Sequence, residues 1–133
     1  LRCNMNIIDS KITKHWIYDG GVIVTLDQSI RTQIVEKIKV INPDKIILFG
    51  SYARGDANPD SDIDIMVIQD INDRDIRKKR LEIRKLLRPI IFEKNVGFDV
   101  IVDSEENVMY RINEVRDQFY RDIHQNGIVI YGK

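Results

Sequence analysis

From residue 27 onward, apolar positions switch between the three-to-four spacing of an amphipathic helix and the short unbroken runs of a buried strand. Ile30, Ile34, Val35, Ile38 and Ile41 fall at helical spacing after Asp27, a plausible N-cap, and Pro43 closes the segment. Lys45 to Phe49 is an apolar strand. Asp56 to Ser61, with Asn58-Pro59-Asp60, reads as a loop. Asp62 to Gln69 is a second strand. Asp73 to Leu87 reads as a helix with Ile76, Ile83 and Leu87 inward, ended by Pro89. Val96 to Val102 is a third strand. Asp103 is expected to cap one long helix, with Glu106 as its capping-box partner. That helix carries Val108, Ile112, Val115, Phe119 and Ile123 inward, until Asn126-Gly127 stops it. Ile128 to Tyr131 is a closing strand. The alternation predicts an α/β (α+β) domain over residues 26–133.

Residues 1–25 stand apart as an N-terminal extension. Lys14 to Tyr18, then Asp19-Gly20-Gly21, then Val22 to Thr25 reads as a hairpin around a glycine turn. An arm docked on another subunit fits equally, and a homo-oligomer is compatible with it.

The chain has 133 residues, enough for one ordinary domain, and 43% are apolar. Its 21 basic and 21 acidic residues cancel. That balance argues against a bulk nucleic-acid binder, which needs a basic surface. Cys3 is the single cysteine, which fits a reducing cytosol and leads us to expect a cytoplasmic protein. No apolar stretch reaches the ~20 residues of a membrane span. No long apolar segment follows Leu1-Arg2, so neither a signal peptide nor a membrane association is expected. His15 and His124 have no partners at metal-ligand spacing, which argues against zinc.

The chemistry lies where the first strand ends in Gly50-Ser51 and the second opens on Asp62-Ile63-Asp64. Alternate strand residues share a face, so Asp62 and Asp64 point one way and Ile63, Ile65 and Val67 the other. Two such carboxylates repel each other and are costly to desolvate, and a divalent cation relieves both. The glycine-serine turn offers backbone N–H groups and a hydroxyl to a phosphate. Asp99, amid the apolar residues of the third strand, is either an edge or Arg-paired aspartate, or a third member of the acidic site. Arg54 lies one turn on from Ser51, where it reaches phosphate or pairs with Asp56 or Asp60. Arg74, Arg77, Lys78, Lys79, Arg80, Arg84, Lys85 and Arg88 make a basic run on one helix, read first as a solvated face, second as a docking surface and third as a nucleic-acid contact.

The series Gly50-Ser51-Tyr52-Ala53-Arg54-Gly55, a spacer, Ser61-Asp62-Ile63-Asp64 and a later Asp99 resembles the signature of the DNA polymerase beta-like nucleotidyltransferases. It is similar to the minimal nucleotidyltransferases, the MntA-type antitoxins of HEPN/MNT modules, over about residues 26–131. The resemblance implies a mixed, twisted sheet with helices packed on one face. It implies three carboxylates, Asp62, Asp64 and Asp99, holding two Mg²⁺ ions, with Asp99 as general base. Gly50, Ser51 and Arg54 would bind the phosphates of ATP. It further implies transfer of AMP to a hydroxyl, namely a tyrosine of a small helical HEPN ribonuclease. An aminoglycoside-type enzyme acting on a small-molecule hydroxyl and an antitoxin acting by contact alone stay open. No domain that would grip an acceptor is visible, which leads us to expect it on another chain.

Overall fold

The computed structural model of the chain describes residues 3–9, 13–18 and 21–132, with side chains from Thr25 onward. Three strands, β1 (Cys3–Asp9), β2 (Thr13–Tyr18) and β3 (Gly21–Leu26), form an antiparallel sheet in that order. The expected turn at Asp19-Gly20 and the side chains of Cys3, His15 and Trp16 lie outside the described residues.

A second sheet of four strands carries the rest of the chain. It is built from β4 (Lys45–Phe49), β5 (Ile63–Ile68), β6 (Phe98–Asp103) and β7 (Ile128–Gly132), in the order β6-β5-β4-β7. β4 runs antiparallel to both β5 and β7. β5 and β6 are parallel, so the chain must cross over between them. The crossover is α3 (Ile76–Lys94). The sheet is therefore mixed, as the resemblance implied.

One face of this sheet packs on α1 (Gln28–Ile38) and α3. Ile46, Leu48, Ile63, Ile65, Val67 and Val100 meet Ile30, Ile34 and Ile38 of α1 and Ile83, Leu87 and Ile90 of α3. Full burial of each such side chain contributes about 2 kcal/mol. Asp27 caps α1 by accepting a hydrogen bond from the Ser29 backbone N–H at 3.3 Å. The resemblance implied helices on one face, but the opposite face is also covered at one end, by the segment that follows β6. Ile47, Phe49, Met66 and Ile68 pack there against Val108 and Ile112 and against Tyr120 and Ile123. The unbroken apolar runs of β4 and β5 reflect this two-sided burial. Where β5 and β6 begin, the same face is open.

Two helix boundaries differ from expectation. α3 runs through Pro89 to Lys94 and ends at Asn95 in the left-handed region. Pro89 removes a hydrogen bond to the Lys85 carbonyl, but both residues lie on the solvent side, and burial of Ile90 carries the helix on. The single long helix expected after Asp103 is divided into α4 (Glu105–Tyr110), one π-helical turn (Arg111–Val115) and α5 (Gln118–Asn126). Ser104, not Asp103, is the N-cap of α4, and its hydroxyl accepts from the Asn107 N–H at 3.1 Å. Arg116 is left-handed at φ 58°, and Asp117 starts α5 by accepting from the Phe119 and Tyr120 N–H groups. The break changes which side chains face the sheet. Tyr120 and Ile123 are buried, whereas Val115 and Phe119, expected inward, are exposed.

Asp103 is the other consequence of this arrangement. It is 3% exposed and accepts from the Tyr120 hydroxyl at 2.8 Å, from the Asn107 side-chain amide and from the Ser104 N–H. Arg111 stacks over the Tyr120 ring at 4.3 Å and donates to Asp117 at 2.6 Å. This network ties α4, α5 and the end of β6 together. Among the described residues no helix is long and apolar enough to cross a membrane.

Candidate active site

The open end of the sheet is a cleft of about 900 Å³ whose lining includes Gly50, Ser51, Arg54, Asp64 and Asp99. Strand geometry accounts for the acidic floor. Ile63, Ile65 and Val67 of β5 and Phe98, Val100 and Val102 of β6 are in the core on the α1–α3 side. Asp64 and Asp99, at alternate positions, must then face the other side. Parallel register sets Asp64 directly beside Asp99, on strands about 4.8 Å apart. Asp99, on the edge strand β6, thus lies beside Asp64 and has no ion-pair partner among the described residues.

The pair is electrostatically strained. Burial, the Asp99 charge, a hydrogen bond with Asp99 and the Asp62 charge, in that order, push the Asp64 carboxyl up to about 6, while Arg54 pulls the other way. Asp62 also helps raise the Tyr52 phenol, although burial of that ring does more. Asp62 is not in the lining of the cleft. Its carboxylate lies against Gly97, whose missing Cβ leaves the space it occupies.

Gly50 is required twice over. It is the N-cap of the four-residue helix α2 (Ser51–Arg54), with φ 72° and ψ −152°, a region only glycine occupies readily. A Cβ there would fall on an Asp64 carboxylate oxygen. The phosphate-type turn and the acidic floor are therefore in contact through a glycine. Arg54 pairs with Asp56 at 3.3 Å, one of the two carboxylates considered for it, and also lines the cleft.

The donor set suits a magnesium ion better than a self-contained metal cage. No group of three or more acidic, histidine or cysteine side chains among the described residues is arranged to hold a metal by itself. Asp64 and Asp99 stand side by side in register, and a divalent cation between them would relieve their mutual repulsion. Mg²⁺ commonly takes one or two protein carboxylates and completes its shell with water and phosphate oxygens.

Residues 28–130 match the nucleotidyltransferase domain family. The chain belongs to that family. A nucleotidyltransferase relative from Methanocaldococcus jannaschii, which carries the name Putative protein adenylyltransferase, is 39% identical over 87 residues, 65% of this chain and 77% of that protein. A second protein of that name and organism is 31% identical over 97 residues, 65% of this chain and 90% of its own length. A chain in the crystal structure of a toxin-antitoxin with AMP-PNP superposes with a TM-score of 0.49 at 20% identity, covering 77% of this chain and 73% of that one.

The nucleotidyltransferase cleft has walls that the sequence reading did not assign to it. Arg77, Arg80, Leu81 and Arg84 of α3 line one side, and Phe119 and Asp122 of α5 another. The i, i+3, i+7 spacing of Arg77, Arg80 and Arg84 puts them on one helical face, which is the signal in the sequence that they act together. Phe119 gave none. It reaches the cleft rim, edge-on to Phe49 at 5.8 Å between ring centroids, only because the helix breaks at Arg116.

Proposed function

We propose that this nucleotidyltransferase transfers AMP from ATP to a hydroxyl of a protein, a tyrosine of a small helical HEPN-type partner. The observation that carries the transfer reaction is the Asp64–Asp99 pair in register on adjacent strands, in one cleft with Gly50 and Ser51. Support for a protein acceptor comes from the likeness to relatives named as protein adenylyltransferases and from the minimal-nucleotidyltransferase signature.

In this reading Gly50 and Ser51 hold the β- and γ-phosphates through backbone N–H groups and the serine hydroxyl, and Arg54 adds positive charge beside them. Asp64 and Asp99, with Asp62 beside Gly97 adding its charge, would hold the magnesium ions, which would offset phosphate charge and acidify the acceptor hydroxyl. The acceptor oxygen attacks the α-phosphorus in line. A new O–P bond forms and the bond to pyrophosphate breaks. Asp99, the more exposed of the pair, takes the proton from the acceptor hydroxyl. Asp64 stays close to Gly50 and fixes the distance between phosphates and floor.

The test is incubation with labelled ATP, Mg²⁺ and a helical HEPN-type partner encoded beside this chain, followed by mass spectrometry of the partner. The expected result is a mass increment of one or more AMP units that disappears with Asp64→Asn. An unmodified partner, under conditions where this protein adenylylates a small-molecule hydroxyl, overturns the protein-acceptor reading.

A further inference from the structure

Helix α3 has a second amphipathic pattern on its outer side. Arg77, Leu81, Arg84, Arg88 and Phe92 recur at i, i+4, i+7, i+11 and i+15, which places them in one stripe about 22 Å long. The stripe begins in the catalytic cleft, whose lining includes Arg77, Leu81 and Arg84. It continues into a shallow groove of about 300 Å³ that shares Leu81 and Arg84 and extends to Arg88 and Phe92. Its two apolar members are open to solvent, Leu81 at 52% and Phe92 at 78% exposure. An isolated exposed apolar residue is ordinary, but two on one basic line leading out of an active site are a patterned surface. The ion pairs of α3, Lys79–Glu82 and Glu93–Lys94, lie off the stripe. Its arginines have no acidic partner among the described residues.

We infer that this stripe is the docking surface for the acceptor protein, and that it takes an amphipathic segment with acidic side chains flanking apolar ones, delivering the acceptor hydroxyl into the cleft. The inference rests on the protein-acceptor reading above and gives the partner its chemistry. Charge complementarity selects the occupant. Five cations, Arg77, Arg80, Arg84, Lys85 and Arg88, stand on the outer side of the helix of a chain whose total charge is zero. Leu81 and Phe92 need apolar partners, which favours a protein segment over a phosphate backbone. Arginine and an aromatic anchor are the residue types that dominate interface energetics. Continuity of the stripe with the cleft means that a segment bound along it has one end beside Asp99.

The test uses two synthetic helical peptides of about 18 residues, long enough to span the stripe. One carries glutamates flanking a leucine line and a tyrosine at one end; the other replaces the glutamates with lysines. Binding is read by fluorescence anisotropy, and AMP incorporation by mass spectrometry with ATP and Mg²⁺. The variant is Arg88→Glu with Phe92→Ser, both outside the cleft lining. The acidic peptide should bind at least about tenfold more tightly than the lysine peptide, and the variant should lose about tenfold in affinity for it. ATP affinity in the presence of Mg²⁺ should be unchanged, which shows that the variant is folded. Equal binding of the two peptides, or undiminished binding to the variant, overturns the docking surface. So does a single-stranded RNA of similar length that binds wild type and not the variant while the acidic peptide does not bind. An acidic peptide that binds through Arg88 and Phe92 but receives no AMP leaves the docking surface standing and counts against the protein-acceptor reading. AMP transfer that is equal in wild type and variant does the reverse.

Discussion

Asp64 and Asp99 occupy matched positions on parallel neighbouring strands, so two like charges stand side by side across one strand spacing. Two neighbouring carboxylates cost stability when both are ionised, and a divalent cation relieves that repulsion. In the proposed function, activity and instability therefore reside in the same pair of side chains.

The first prediction concerns pH and metal. The Asp64 carboxyl is held at about 6 in the fold against 3.8 for an unperturbed aspartate. Above pH 6 the group is ionised in both states and weakens the fold. As pH falls from 6 toward 4 the folded state takes up a proton that the unfolded state still lacks, so this group's contribution to stability rises. In metal-free buffer at pH 7, Asp64→Asn should be more stable than wild type by about 1 kcal/mol, the value left after discounting for solvent screening of a half-open group. The advantage should vanish near pH 4. Mg²⁺ should stabilise wild type more than the variant, and should release a proton on binding near pH 6. Urea unfolding over pH 4–8, with and without Mg²⁺, checks the stabilities; calorimetry in two buffers of different ionisation enthalpy checks the proton. Equal stabilities at pH 7 would sink the argument.

Gly50→Ala should abolish AMP transfer and destabilise the protein by at least about 2 kcal/mol, from backbone strain at φ 72° together with the collision on Asp64. The two costs are separable. In the double variant Gly50→Ala with Asp64→Ala the collision is gone and the strain remains, so the cycle should show coupling of at least about 0.5 kcal/mol. Strictly additive effects in thermal or urea unfolding would mean that the Asp64 carboxylate does not press on residue 50.

Tyr120→Phe should cost about 1–2 kcal/mol, because a buried charged acceptor, Asp103, loses the 2.8 Å hydrogen bond from the phenol. The phenol itself is pushed up to about 12, by burial first and then by Asp103, so no titration of Tyr120 contributes below that range. The loss should therefore be flat from pH 6 to 9 in urea unfolding. A variant as stable as wild type would remove the network from the account of how α5 is held.

Much of this protein could be read along the chain. Lys45–Phe49 was bounded to the residue, α1 had its cap and its three buried isoleucines, and strand parity put Asp64 on the face away from Ile63 and Ile65. These features are local: a 3.6 or 2.0 period, a capping carboxylate and a glycine-serine turn are set by neighbours a few residues away. The family signature is legible for the same reason, since Gly50-Ser51 and Asp62-Ile63-Asp64 are short and contiguous. Which strand lies beside which is not local. That Asp99, on the edge strand β6, stands next to Asp64 followed only from the parallel pairing of β5 with β6. That Asp62 lies against Gly97 and outside the cleft lining followed from the same pairing. Pro89 inside α3, the break at Arg116 and the turning of Phe119 outward were decided by burial of Ile90, Tyr120 and Ile123 against the two faces of the sheet. A proline or a periodic apolar residue states a local preference worth one or a few kcal/mol. Packing a whole helix face on a sheet outweighs it, and only the assembled structure says which faces are available to pack.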